Sequence, residues 1–509
     1  MDNNNPSWGE VIFGENKLSN VINIVLYSYI GSHFVPNIAI QAPTDFLQRE
    51  THHYSATDYT QDEQRVDTSL ITVSGPDYDT HIFNGFKGLN AEEAQGLVDA
   101  HYYGVEDPYK FVSKYHYTHP DYDALISGVT IPEIALNINP DIEYSARLME
   151  HITHRVSEKM LYKLDSFTSL ALPYDRELTM DDYEKASPII TALTGGIVQQ
   201  HIITQPNTAL KRFVAKHDRQ NTRYNQAASV QSSVFNERVL YLEIPNFTYG
   251  ITEQTQDAYH QAKEKYGAKL ESIIIDLRDN GGGYATETAA LADTFTAAID
   301  LGKLIYSASA AQEYIEHIKG SRDQITTLPI KILINDETAS AAEVFAGTLQ
   351  DTKRAKLFGK TPSYGKGISY VTLDNYLKAT GASLTVTNAA LYLPKSGAYQ
   401  AIGIQPDVLV KMTPRDHEYE RVYMKDFPNH LPNPESKTEL PKATFKCAVD
   451  FKYAVGEKQA WYMKDNMSTG KAYQVNLGYD ETMLCALDDI GNTPQYSTTT
   501  RNIAPVPSV

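Results

Sequence analysis

The chain has 509 residues, 42% hydrophobic and 21% charged, so an ordinary buried core is available along most of it. That composition excludes a collagen-like, coiled-coil or mostly disordered chain. Lys and Arg number 45 against 63 Asp and Glu, a net charge of −18; so acidic a surface repels phosphate backbones and anionic membrane faces, and nucleic acid is not an expected partner.

In chain order, the first residues read MDNNNPSWGE, with no basic residue before Lys17. A secretory signal needs a basic start and an apolar core. Either the protein is cytoplasmic or the chain starts after a removed segment. The best apolar run, residues 21–30, is broken by Asn23, Tyr27, Ser28 and Tyr29. It falls short of the roughly 18 residues a spanning helix needs, so no membrane span is expected. Residues 1–85 form an N-terminal region of unassigned fold with one readable strand, 69–73.

Residues 86–225 read as a mainly helical region with a linker. Asn90 before Ala91, Glu92 and Glu93 is a helix start, with an N-cap and acids in the first turn. Between 142 and 164, Ala146, Leu148, Met149, Ile152, Val156, Met160, Leu161 and Leu164 recur near helical spacing. Residues 181–185 and 190–199 continue the helical pattern. Residues 211–233, polar and rich in Asn, Gln and Arg, read as a linker or exposed hairpin.

Residues 226–412 alternate strand and helix. Strands are expected at 239–244, 272–277 and 330–334, helices at 252–264, 286–299 and 341–350, and closing strands at 368–373 and 384–391. Continuous apolar runs such as SIIIDL mark strands buried on both faces, and the alternation predicts an α/β domain with a mostly parallel sheet. Residues 413–509 form a C-terminal extension, Pro- and charge-rich to Lys442 and read as β beyond it. Cys447 and Cys485, 38 residues apart, are the only cysteines, either one disulfide or two buried thiols. We expect them bonded within the C-terminal β extension, which would indicate an oxidising compartment.

Three stretches carry chemistry. DLRDNGGG at 276–283 puts three glycines directly after a buried strand, where the backbone can turn tightly and offer N–H groups to an anion or an oxyanion. It is not a dinucleotide fingerprint, and alone it can be a plain glycine turn. TASAAEVFAGTLQD at 338–351 places Ser340 between a buried strand and an Ala-rich helix. There a serine is either an N-cap, with Glu343 completing a capping box, or a nucleophile aided by the helix N-terminus. TPSYGKG at 361–367 puts Lys366 between two glycines, as a solvated loop lysine or as a buried neutral base. Ser363 and Lys366 have the S-x-x-K spacing, but Gly365 and Gly367 argue against the helix that motif needs. His151 with His154, and His52 with His53, lack a third ligand and an HExxH pattern, so no metal is expected.

The order and content of these motifs, with the strand at 239–244 and AIGIQPD at 401–407, resemble the tail-specific, or C-terminal-processing, serine peptidases of family S41 over roughly residues 236–412. The resemblance implies an α/β, crotonase/ClpP-like catalytic core with added N-terminal, helical and C-terminal regions. It implies a serine endopeptidase acting on protein or peptide substrates through an acyl-enzyme. Ser340 matches the nucleophile and Lys366 the general base of a Ser/Lys dyad. The N–H groups of Ala341 and of Gly282 or Gly283 match the oxyanion hole, and Asp351 and Glu343 match supporting positions. No cofactor is implied. Tyr370 stands where many members carry a glutamine that orients the lysine, the loop from 359 to 366 is one residue longer than usual, and no PDZ domain stands out. Relatives of this kind mostly work in the periplasm, outside the cell or in organelle lumens, which implies a periplasmic or extracellular home for a chain whose leader has been removed. Two rivals are a catalytically idle ligand- or peptide-binding protein on the same fold and a crotonase-like acyl-CoA enzyme. The sequence leaves the oligomeric state open.

Overall fold

The computed structural model describes residues 85–126, 161–171, 229–418, 421–447, 460–490 and 495–496, apart from short gaps within those ranges. The strand expected at 69–73, the helices expected at 181–185 and 190–199, the His pairs and nearly all of the periodic stretch at 142–164 lie outside the described residues.

Helices α1 (Ala91–Tyr103), α2 (Pro108–Tyr115) and α3 (Tyr122–Ile126) come first, then strand β1 (Ser169–Ala171). Asn90 caps α1 reciprocally: its Oδ1 accepts from Glu93 N–H, and Glu93 Oε2 accepts from Asn90 N–H. Next come β2 (Gln231–Phe235), β3 (Val239–Glu243), α4 (Ile251–Tyr266), β4 (Ser272–Asp276), α5 (Ala285–Phe295), β5 (Asp300–Ser309), β6 (Gln312–Lys319), β7 (Ile330–Leu333), α6 (Ala341–Asp351) and β8 (Ala355–Gly359). Then follow β9 (Ile368–Leu373), β10 (Ser383–Leu393), β11 (Gly397–Ala398), β12 (Val408–Leu409), β13 (Phe445–Lys446), β14 (Ala460–Asn466), β15 (Lys471–Asn476), α7 (Glu481–Asp488) and β16 (Gln495–Tyr496).

One sheet has the order β13-β12-β8-β7-β4-β3-β2-β14-β15, with β16 on β14. From β13 to β3 every pairing is parallel. Its central parallel strands β3, β4 and β7 are largely buried on both faces because both faces are covered there. On one face Leu240, Leu242, Ile273, Ile275, Ile330 and Ile332 pack against α4, α5 and α6. On the other, Val239, Ile274, Leu333 and Phe358 pack against Met483, Leu484 and Leu487 of α7. Each fully buried aliphatic side chain contributes roughly 1.5–3 kcal/mol of transfer free energy.

A second, antiparallel sheet runs β1-β10-β5-β6, with β9 and β11 also on β10. The expected closing strands, β9 and β10, belong here rather than to the parallel sheet. Residues 231–233, read as linker, are the first part of β2. That strand pairs antiparallel with β3 and is buried from Ser232 onward, because the C-terminal extension covers it through β14.

The C-terminal extension mixes strands with α7, and Cys485 sits on that helix rather than on a strand. Its Sγ is bonded to that of Cys447, with Cα atoms 5.9 Å apart. Ion pairs hold α7 at both ends: Asp480 to Arg278 and Glu481 to Lys360 at its start, Asp489 to Lys331 and Lys356 at its end. Closing a loop of this length stabilises by roughly 3–4 kcal/mol in the chain-entropy model. Cys447→Ser with Cys485→Ser is therefore expected to lower the thermal midpoint by several degrees. An unchanged midpoint would mean the ion pairs and packing alone fix α7.

Candidate active site

Three loops meet at the start of α6. The turn after β4 is joined to the loop before α6 by the N–H of Ala339, which donates to the carbonyl of Asn280 at 2.9 Å. The loop before α6 is joined to the lysine loop by the N–H of Tyr364, which donates to the carbonyl of Thr338 at 2.9 Å. Thr338 Oγ1 donates to the Leu277 carbonyl at 2.8 Å, adding a third tie. Fully buried Asn280 braces the glycine turn: its Nδ2 donates to the Ile244 carbonyl and its Oδ1 accepts from Gly282 N–H.

Ser340 is the N-cap of α6 at φ 55° and ψ −120°, a region L-residues rarely adopt. Such backbone costs about 1–3 kcal/mol and persists where surrounding contacts impose it, often at functional sites. Gly282 lies directly against it. A Cβ at Gly282 would stand 2.8 Å from Ser340 Cβ and 2.9 Å from the amide nitrogen of Ala341, so only glycine permits this approach. The Gly282 N–H is taken up by Asn280. The N–H groups of Gly283 and Ala341 donate to no acceptor among the described residues, and both border Ser340 or its glycine neighbour. Unclaimed N–H groups beside a helix start are what an oxyanion needs.

Glu343, one turn into α6 and fully buried, ties the lysine loop to Ser340. Its Oε2 accepts from the N–H of Ser340 and from the N–H of Lys366, each at 2.8 Å. Its Oε1 accepts from Ser363 Oγ at 2.5 Å and from Gly365 N–H at 2.6 Å. Burial pushes the carboxyl up to about 7, against the pull of the bonds from Ser363, Gly365, Ser340 and Lys366. Ser363 Oγ also accepts from Ile404 N–H, so that serine is occupied twice over.

The Lys366 Nζ lies 4.5 Å from the Phe167 ring centre and 4.2 Å from that of Tyr370. The two rings are stacked, at 5.6 Å. Lys366 Nζ makes no hydrogen bond to Ser340 Oγ in this structure. Tyr370, on β9, meets the lysine with its ring face. Gln400, on the other side, accepts from Gly367 N–H and donates to the Leu431 carbonyl, fixing the residue after the lysine. Asp351 sits at the far end of α6 and accepts from Lys395 N–H, Ser396 N–H and Ser396 Oγ. It therefore holds the turn between β10 and β11, not the lysine loop.

Sequence reasoning missed Phe167, Gln400 and the pair behind Phe167. Buried Asp165 accepts from the N–H groups of Phe167 and Thr168, from Thr168 Oγ1, and from His116 Nε2 at 2.7 Å. His116 Nδ1 accepts from Thr118 N–H, which places the imidazole proton on Nε2. Burial alone would raise Asp165, but the bonds from His116, Thr168 and Phe167 hold it below its ordinary value. His116 and Asp165 are 49 residues apart, so no local pattern announced them.

Glu343 makes stability depend on pH. Its ordinary value is 4.5 and its folded value about 7, so between those values the folded state binds more protons. The group's contribution to stability is greatest below about pH 4.5 and falls as pH rises toward 7. Glu343→Gln should remove this slope, roughly 3 kcal/mol across that window. The difference between the two proteins' melting curves against pH measures it. A difference curve that is flat, or rises with pH, would contradict the assignment.

The sequence model of peptidase family S41 matches residues 238–410. The chain is 28% identical over 236 residues to the chloroplastic carboxyl-terminal-processing peptidase 2 of Arabidopsis thaliana, covering 46% of this chain and 44% of that protein. It is 33% identical over 173 residues to the carboxy-terminal-processing protease of Bartonella bacilliformis, covering 34% and 38%. The chain thus spans less than half the length of these curated relatives. Among solved structures it resembles a photosystem II D1 C-terminal processing protease, with a TM-score of 0.39 and 18% identity over 60% of this chain and 91% of that one.

Proposed function

From the match of residues 238–410 to the sequence model of peptidase family S41, we propose that the protein is a serine endopeptidase that cleaves peptide bonds with Ser340 as nucleophile and Lys366 as general base. The observation that carries this reading is the Glu343 carboxylate, one oxygen of which binds the backbone N–H of both residues. In the first step Lys366 swings from the Phe167 and Tyr370 rings to Ser340 Oγ and takes its proton. The oxygen attacks the substrate carbonyl, whose developing negative charge rests on the N–H groups of Ala341 and Gly283. The amine leaves with a proton returned by Lys366, and a water deprotonated by the same lysine then hydrolyses the ester. Nucleophile and base both come from the chain, so the reaction needs no cofactor. The substrate is a protein or peptide. The Cys447–Cys485 bond supports an oxidising, extracytoplasmic setting. Among the described residues no helix is long and apolar enough to cross a membrane.

A peptide-binding protein without turnover is the second reading, favoured by the resting place of Lys366 Nζ over the Phe167 and Tyr370 rings. A fluorophosphonate probe followed by peptide mapping separates the two. Modification of Ser340 is expected for the peptidase. An unmodified Ser340 would favour the binding protein.

A further inference from the structure

Two tyrosines stand in the open beside the glycine turn. Tyr249 is 69% exposed and Tyr284 42%, and their rings stack at 4.1 Å with 22° between planes. Tyr284 directly follows Gly283, whose N–H is unclaimed. Two contiguous exposed rings held at a fixed place beside the candidate oxyanion donors offer an apolar surface for a ligand.

The pair is held rigidly. Phe247 N–H donates to the Gly282 carbonyl at 2.9 Å, and Tyr284 N–H donates to the Phe247 carbonyl at 2.8 Å. Glu287, in the first turn of α5, accepts from Gly250 N–H, Thr252 N–H and Thr252 Oγ1. Five hydrogen bonds thus fix the loop bearing Tyr249 against the turn bearing Tyr284. The rings are set before any ligand arrives, so binding there orders little. The Glu287 carboxylate spends its oxygens on those donors within the loop.

We propose that Tyr249 and Tyr284 form a substrate subsite that receives a bulky apolar or aromatic side chain next to the scissile bond. This rests on the reading of Ser340 as nucleophile, because the subsite is located by its distance in sequence and space from the oxyanion donors. A peptide whose carbonyl oxygen sits on the Gly283 N–H has its neighbouring residues passing Tyr284. A side chain laid on the stacked rings is stacked and shielded from water on the face that meets them.

The test is a set of otherwise identical peptides carrying Phe, Ala or Lys on either side of one cleavable bond. The full chain is expected to favour Phe over Ala about tenfold in kcat/KM at one of the two positions, through KM rather than kcat. Tyr249→Ala should bring that ratio close to one, and Tyr249→Phe should retain it. Binding of the same peptides to Ser340→Ala protein, followed by fluorescence anisotropy, should show the same Phe preference. That measurement needs no turnover, so a Ser340 that proves unreactive and a subsite that does not exist give different results. Equal binding of Phe and Ala peptides, a preference for Lys, or a Phe preference that survives Tyr249→Ala would each overturn the proposal. Should Tyr249→Ala not fold, Tyr284→Leu provides the same ratio with less loss of packing.

Discussion

Ser340→Ala is expected to abolish hydrolysis, with a fall in kcat of at least about 10⁴-fold, the scale seen when a nucleophile that works with its base is removed. The substitution is small and leaves the Glu343 bond to the residue 340 N–H untouched, because that bond is to the backbone. The fold should survive with its thermal midpoint nearly unchanged. Ser340→Gly should be equally inactive but more stable, since glycine adopts φ 55° without the strain that serine carries there. Activity lost while stability rises is the signature of strain kept for function, and calorimetry beside a casein cleavage assay reads both. Retained turnover in Ser340→Ala would remove this serine from the mechanism.

The second large effect is at Lys366. Lys366→Arg should be nearly as damaging as Lys366→Ala, each lowering kcat by roughly 10²–10⁴-fold, the range for a lost general base. Arginine keeps the positive charge and stacks well on the Phe167 and Tyr370 rings, so the resting arrangement should be preserved. What it cannot do is give up its proton in a protein. Steady-state kinetics of the two variants decide the matter. Near-normal rates with arginine would make residue 366 an electrostatic anchor and leave the base to be found elsewhere.

The parallel sheet was legible because its strands are buried on both faces and announce themselves as unbroken apolar runs. Helices α4, α5 and α6 were legible from their alternation with the strands and, for α5 and α6, their alanine content, although α5 ends at Phe295 rather than at 299. Strands β5 and β6 were not read at all. Charged residues such as Lys303, Glu313 and Glu316 break their apolar runs without a period of two, and the pairing of β5 with β10 and of β6 with β5 is set by tertiary contacts. The chemical motifs were legible as local strings, but the contacts that join them are distant. Glu343 could be read as half of a capping box. Its hold on Ser363, Gly365 and Lys366 spans up to 23 residues and follows from the fold. Phe167 is the extreme case: it reaches the lysine from beyond the strand–helix core, and no pattern around it suggested that.

The most direct test of a Ser340 acyl-enzyme is to trap it. The full chain, mixed with an activated peptide ester and quenched in acid within milliseconds to seconds, should carry the peptide acyl group on Ser340 when mapped by mass spectrometry. The Lys366→Arg protein should carry far less. Continued hydrolysis of the ester with no acyl group on Ser340, or with the acyl group on another residue, would contradict the mechanism.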